Sequence, residues 1–164
     1  MNLQQIKNLK EEKGFTIVEL LIVIVVIGIL AAIIIVAYTG VQNQARTTKA
    51  KSNASTIQKR LEAYYAENEG SYPTVSGWTS YTTAHPNAAG SIPANITVQT
   101  AAPSKGDNIQ LQYCRSGATA PTAVSQATGY RINWFDYVEG GVSDVTKAIH
   151  GGDAKDTGYT CAAL

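Results

Sequence analysis

Residues 13–37 read KGFTIVELLIVIVVIGILAAIIIVA, and the last 18 of them carry no polar side chain. As a helix, those residues extend roughly 27 Å at about 1.5 Å per residue, which matches the hydrocarbon core of a bilayer. One carboxylate, Glu19, stands directly before this run. Because an ionised side chain at the centre of a membrane helix costs about 2.5–3.5 kcal/mol, the sequence predicts that Glu19 has a partner.

Basic residues precede the apolar run. Lys7, Lys10 and Lys13 lie on its N-terminal side, although Glu11 and Glu12 dilute their charge. Lysine and arginine favour the cytoplasmic side of a membrane, so the part of the chain after the run is expected to face outward. A conventional secretory signal is the alternative, cleaved after the run near the alanines of residues 31–37.

Gly14, Phe15 and Glu19 belong to the sequence Gly-Phe-Thr-Ile-Val-Glu, which is followed by the long apolar run. This arrangement, over residues 1–38, resembles the cleavage and anchor motif of type IV prepilins and their pseudopilin relatives. The resemblance implies that a membrane prepilin peptidase cuts between Gly14 and Phe15 and methylates the new amine of Phe15. It also implies that this amine pairs with Glu19 of a neighbouring subunit and sets the axial register of a filament, a use that buried ionic groups are known to have.

Four segments follow from the motif and the sequence after it. Residues 1–14 are a leader, 15–38 an apolar transmembrane and polymerisation helix, 39–70 an amphipathic helix, and 71–164 a β-rich head with a C-terminal disulfide region. The expected fold is α+β, with the long N-terminal helix packed on a small antiparallel sheet. The resemblance implies self-polymerisation, storage of the precursor in the membrane, and an assembly ATPase and a platform protein as partners.

The polar half of the predicted helix has one apolar stripe. Ile57, Leu61 and Tyr64 or Tyr65 recur at three- and four-residue spacing, which predicts that one face packs on the sheet. Gly70, with Pro73 after it, predicts that the helix ends within two residues of Gly70.

Within the apolar half, Gly28 weakens the helix by about 1 kcal/mol relative to alanine, and Gly40 follows near its end, so both are candidate soft points. Val36 stands where proteins with this motif usually have a proline, and a straighter helix is therefore an option.

In the head, residues 71–95 are predicted to be a turn-rich connector. Strands are predicted at residues 96–100, 109–114 and 130–138, arranged as an antiparallel meander. Residues 115–129 are expected to form a loop with room for a short strand at residues 122–125, and residues 139–158 a surface loop with one brief strand.

The chain has two cysteines, Cys114 and Cys161, both beyond the apolar run. An oxidising location outside the cytoplasm favours a disulfide between them, which would tie the C-terminus to a strand. Such a bridge resembles the disulfide-bounded variable region of many pilins.

Neither a catalytic constellation nor a cofactor motif is recognisable. His85 and His150 have no metal-ligand partners at familiar spacing, and no phosphate-binding loop or Gly-x-Ser-x-Gly sequence is present. Calcium binding by Asp144, Asp153 and Asp156 is a weaker alternative to solvated loop carboxylates, since their spacing does not match an EF-hand. Asn53 and Asn95 begin glycosylation sequons, a pattern too short to decide anything.

Net charge also limits the possible partners. Residues 1–14 hold three lysines and two glutamates, and without them ten basic and ten acidic side chains remain. DNA binding is therefore not supported by net charge.

The sequence therefore predicts a structural subunit of a type IV pilus or pilus-like filament and not an enzyme, held in the cytoplasmic membrane until it joins an extracellular pilus or a periplasm-spanning pseudopilus. The alternatives are a pseudopilin of a type II-like secretion system, a minor or competence pilin, and a membrane-tethered adhesion module, with a tethered enzyme less favoured.

Overall fold

A computed structural model describes residues 14–106, 108–143, 147–152, 154 and 158–164. Residues 1–13 of the expected leader and Asp144, Asp153 and Asp156 of the calcium hypothesis lie outside these residues. The chain divides into two compact units, Met1–Gly40 and Val41–Leu164. Helix α1, Ile17–Glu67, contributes residues to both.

In the first unit, α1 is helical without interruption through Gly28 and Gly40. Neither glycine relieves a close contact, because a Cβ at either position meets no atom within 4 Å.

Among its described residues, the second unit contains the second half of α1, helix α2 and seven strands. Their bounds are α2 Val75–Ala84, β1 Thr97–Gln99, β2 Asn108–Ser116, β3 Gly129–Asn133, β4 Phe135–Asp136, β5 Gly141–Val142, β6 Ile149–Gly152 and β7 Tyr159–Ala162. The buried side chains of α1 lie in this half: Ala50, Asn53, Ala54, Ile57 and Leu61. The apolar members of this set form one core with the inner face of the sheet, so the expected α+β class is confirmed.

Strand β2 is the centre of the five-stranded sheet. It pairs antiparallel with β3 on one side, and β3 in turn pairs with β6. On the other side, β1 runs along the first part of β2 and β7 along its last part. Strands β4 and β5 form a separate two-stranded ribbon.

The predicted meander is wrong at its first strand, since β1 and β2 are parallel. The predicted strand at residues 130–138 is divided into β3 and β4. The described part of residues 139–158 contains two strands, β5 and β6, instead of one, and the short strand considered at residues 122–125 is a 3-10 turn, Val124–Gln126. The direction and the bounds of these strands depend on which distant strands they pair with. Strand propensity depends on such context more than helix propensity does.

Helix α2 corrects the prediction of a simple connector at residues 71–95. Thr74 caps it by accepting a hydrogen bond from the Gly77 N–H at 3.0 Å, and Pro73 precedes this cap. Trp78 is fully buried and donates its indole N–H to the carbonyl of Gly90 at 2.6 Å. Val75, Trp78 and Tyr81 contact the core at three-residue spacing, but the Ser, Thr and Gly residues between them are typical of turns, so the helix was missed.

Two further contacts fasten α1 to the head. The hydroxyl of Thr47 donates to Asp136 at 3.1 Å and accepts from the Tyr137 N–H at 2.9 Å. Burial opposes ionisation of Asp136, but the N–H groups of Glu139 and Val138 and the Thr47 hydroxyl outweigh it and keep the pKa of this carboxyl below its usual value. Farther along α1, Tyr130 of β3 donates to Glu62 at 2.5 Å.

Cys114 and Cys161 are joined by a disulfide and are direct cross-strand partners in the β2–β7 pair. The bridge therefore holds the C-terminal strand on the central strand of the sheet. The two cysteines are 47 positions apart in the sequence, so the bridge also closes a large loop in the unfolded chain and lowers the entropy of that state.

We expect replacement of both cysteines by alanine to lower the free energy of unfolding by about 4 kcal/mol, because the unfolded chain regains the entropy of an open loop. Denaturant unfolding of the full chain in detergent, followed by tryptophan fluorescence, measures the change. An unaltered midpoint would contradict this assignment of stability to the bridge.

Gly90 lies where the loop after α2 touches α1. A Cβ at this position would come within 2.7 Å of the Tyr64 Cα, a backbone atom that cannot move alone. Gly90→Ala should therefore destabilise the head by about 1–3 kcal/mol, measured as a lower thermal midpoint by near-ultraviolet circular dichroism. The matched control is Gly141→Ala, whose Cβ meets nothing within 4 Å and which should leave the midpoint almost unchanged.

Candidate membrane and assembly segment

The candidate functional site is the start of the chain as the structure describes it, from Gly14 through the apolar part of α1. Thr16 precedes the first helical residue, Ile17, and is therefore the N-cap. The Glu19 N–H donates to the Thr16 hydroxyl at 3.2 Å, while one carboxylate oxygen of Glu19, Oε2, accepts from the Thr16 N–H at 2.9 Å and the Thr16 hydroxyl at 2.7 Å. This is a capping box, in which the cap and the third helical residue satisfy each other's backbone donors.

The predicted partner of Glu19 is thus partly present within its own chain. The sequence contains a local signal for this partner, Thr-x-x-Glu at a helix start, whereas the prediction considered only an opposite charge. Glu19 also lies in the first turn, where the helix dipole favours a negative charge. Its other oxygen, Oε1, accepts no hydrogen bond from the residues that the structure describes.

Gly14 and Phe15 precede the helix and are exposed in the described chain. Phe15 is 89% exposed, and a Cβ on Gly14 would meet no atom within 4 Å. The peptide bond between them is therefore open to an enzyme, and the need for glycine at this position does not come from contacts within the described chain.

After Glu19 the helix presents apolar side chains in every direction. All large apolar residues of this segment are exposed, with none covered by the described chain. By length and composition, α1 has a window able to cross a membrane. Soluble monomers rarely expose a continuous apolar patch above about 600 Å², so this surface requires an apolar environment.

Comparison with known proteins supports this geometry. Residues 9–35 match the prokaryotic N-terminal methylation motif. Over this N-terminal segment the chain resembles type IV pilin-like proteins. The match includes Gly14, Phe15 and Glu19, together with most of the apolar part of α1.

Similar proteins include both filament and secretion subunits. The chain is 40% identical over 65 residues to a type IV major alpha-pilin of Moraxella bovis, covering 40% of each protein. It is 34% identical over 59 residues to the type II secretion system core protein G of Pseudomonas aeruginosa, covering 36% of this chain and 42% of that protein. The chain thus spans about two fifths of the length of these curated relatives. No solved structure matches it at significance.

The second unit, Val41–Leu164, is the other region in which a reactive site could lie. Among the described residues, no group of three His, Cys, Asp or Glu side chains could hold a metal ion. A cleft of about 420 Å³ is lined by tyrosine, glycine, serine, threonine and small apolar residues, including Tyr65, Tyr72 and Thr128. His85 stacks against Tyr81 with ring centroids 4.8 Å apart.

The asparagines of the two glycosylation sequons differ in their exposure to an enzyme. Asn53 is only 8% exposed and lies on the buried face of α1, so its amide is closed to a glycosylating enzyme in the folded protein. Asn95 is exposed in the loop before β1.

Proposed function

We propose that this protein is a structural subunit of a type IV pilus or a pilus-like filament. The observation that carries the proposal is the apolar first part of α1, exposed around its whole circumference and preceded by an accessible Gly14–Phe15 bond. A lipid bilayer covers such a surface in the precursor, and a bundle of identical helices covers it in a filament. One surface therefore serves both storage and assembly.

Processing changes the charge at the start of the helix. Cleavage by a prepilin peptidase after Gly14 creates an ammonium group on Phe15, which the same enzyme methylates. We infer that this cation binds Glu19 of a neighbouring subunit. Thr16 occupies only Oε2 of Glu19, so Oε1 remains available to the incoming cation while the capping box stays intact. A charge-assisted hydrogen bond of this kind is about twice as strong as a neutral one.

An assembly ATPase and a platform protein would supply the energy and the site of assembly. The precursor would cross the cytoplasmic membrane once, with the head outside, and the mature subunit would leave for the filament. The role is structural, and the chemistry on this chain is done by its processing enzyme.

A pseudopilus of a secretion system is the second candidate, favoured by the similarity to type II secretion system core protein G. Mass spectrometry of filaments sheared from cells separates the two roles. Long surface filaments composed mainly of this chain indicate a pilus, whereas a trace of the chain together with loss of secretion on deletion indicates a pseudopilus. A tethered adhesion module would keep an uncut Gly14–Phe15 bond.

The cleavage assignment predicts that Gly14→Val yields an uncleaved precursor that inserts in the membrane but does not enter filaments. A side chain at this position keeps the backbone away from the peptidase. Intact-mass measurement of membrane protein checks this, with Gly28→Ala as the control that should be processed normally. Detection of Phe15 at the N-terminus of the Gly14→Val protein would place the cut elsewhere.

Three variants separate the capping role of Glu19 from its proposed role between subunits. Glu19→Gln keeps the hydrogen bonds of a capping box but removes the charge, and we expect it to reduce filament yield about tenfold, equivalent to about 1.4 kcal/mol. Thr16→Ala removes the cap and keeps the charge, so its yield should fall less. Glu19→Ala removes both and should be the most defective.

Filament yield is counted by electron microscopy, with membrane insertion and cleavage checked on the same cells. Equal yields from the wild type and Glu19→Gln would reject the intersubunit pair and leave Glu19 as a capping residue alone.

A further inference from the structure

The charges of α1 and the segment after it are separated along the chain. Five basic and no acidic residues lie between positions 41 and 61: Arg46, Lys49, Lys51, Lys59 and Arg60. The following stretch to position 104 has three acidic residues, Glu62, Glu67 and Glu69, and no lysine or arginine. We call these two groups the basic band and the acidic end.

Several of these charges are held by neutral groups of the same chain. The guanidinium of Arg46 lies 5.6 Å from the centre of the Tyr137 ring, and Arg60 donates to the Ala89 carbonyl at 2.9 Å. The carboxylates of Glu62 and Glu67 accept from tyrosine hydroxyls. Lys147 and Glu139 form an ion pair that lies outside both groups.

Three charges remain directed at solvent. Lys51, Lys59 and Glu69 are exposed, and their side chains form no hydrogen bond or ion pair with another described residue. Lys59 lies on the side of α1 opposite Ala54 and Leu61, which face the core, and Lys51 lies at the edge of that side, three residues before Ala54. The outward face of the helix from Lys51 to Lys59 therefore carries positive charge alone until the acidic end begins.

Packing of identical copies at the same height would bring basic band against basic band. Like charges at close approach destabilise an interface, and complementary potentials stabilise it. A shift along the helix axis removes the repulsion. At about 1.5 Å per residue, Glu69 lies roughly 15 Å beyond Lys59 and roughly 27 Å beyond Lys51.

We propose that the outward face of the basic band docks a second copy of this chain, shifted along the helix axis so that its Glu69 contacts Lys51 or Lys59. The proposal rests on the filament function proposed above and adds a register contact in the head region. A second copy fits this face because every copy carries the acidic end, whose charge is opposite to that of the basic band. In parallel copies, a shift along the helix axis brings the two groups together.

Charge exchange tests the contact in cells that express the full chain. Lys51→Glu with Lys59→Glu, and separately Glu69→Lys, should each lower filament yield about tenfold, since each places like charges together. The triple variant that exchanges both signs should restore the yield to within about twofold of the wild type. Lys105→Glu, a reversal at an exposed site outside both groups, is the matched control and should assemble normally.

A second measurement does not depend on counting filaments. A chain carrying Lys59→Cys and Glu69→Cys should form a ladder of disulfide-linked oligomers under mild oxidation. The two positions are roughly 15 Å apart within one chain, beyond the reach of an intramolecular disulfide. A chain with Lys105→Cys and Glu69→Cys should give no ladder.

The outcomes are distinguishable. If wild-type cells form no filaments, the filament function is wrong. The presence or absence of disulfide-linked oligomers then tests the contact between copies independently. Filaments unaffected by charge reversal overturn the contact and leave the function standing. A reversal defect that the triple variant fails to rescue, without a ladder, also rejects the second copy and assigns the basic band to another anionic partner, such as lipid headgroups or nucleic acid.

Discussion

An apolar helix in water has to be covered, and the described chain offers nothing to cover the first part of α1. Its side chains from Phe15 to Val41 remain exposed, whereas the second part of the same helix contributes Ala54, Ile57 and Leu61 to a closed core. The free energy of burial grows with the apolar area removed from water, about 25 cal/mol per Å². A segment of this size therefore requires an apolar environment, which a membrane or further copies of the chain would supply in the function proposed above.

The two ends of α1 are stabilised by different means. Thr16 and Glu19 satisfy the first backbone donors, so the helix can begin immediately after the proposed cleavage site without help from the head. At the other end the chain leaves the helix through Glu69 and Gly70, both with positive φ of 54° and 77°. Gly70 adopts this conformation without strain, and its N–H bonds back to the carbonyl of Tyr65 at 2.9 Å.

The head combines strong local and long-range restraints. Trp78 anchors α2, Thr47 and Asp136 fasten α1 to β4, and the disulfide holds β7 on β2. The last two of these restraints join residues far apart in sequence. This arrangement suits a subunit whose helix is exchanged between lipid and protein, because the head does not rely on the apolar segment for its core.

The sequence by itself determined the long helix, its change from apolar to amphipathic and the α+β class, because helix periodicity, helix ends and length are local properties. It also contained the capping box at Thr16 and Glu19, which the search for an opposite charge overlooked. Only the tertiary structure decided that β1 joins β2 in parallel, that residues 75–84 form a helix around Trp78, and that β7 lies beside β1 along β2. These features depend on contacts between distant residues, and a short strand or a helix with one buried side chain carries too little local pattern to specify its partner.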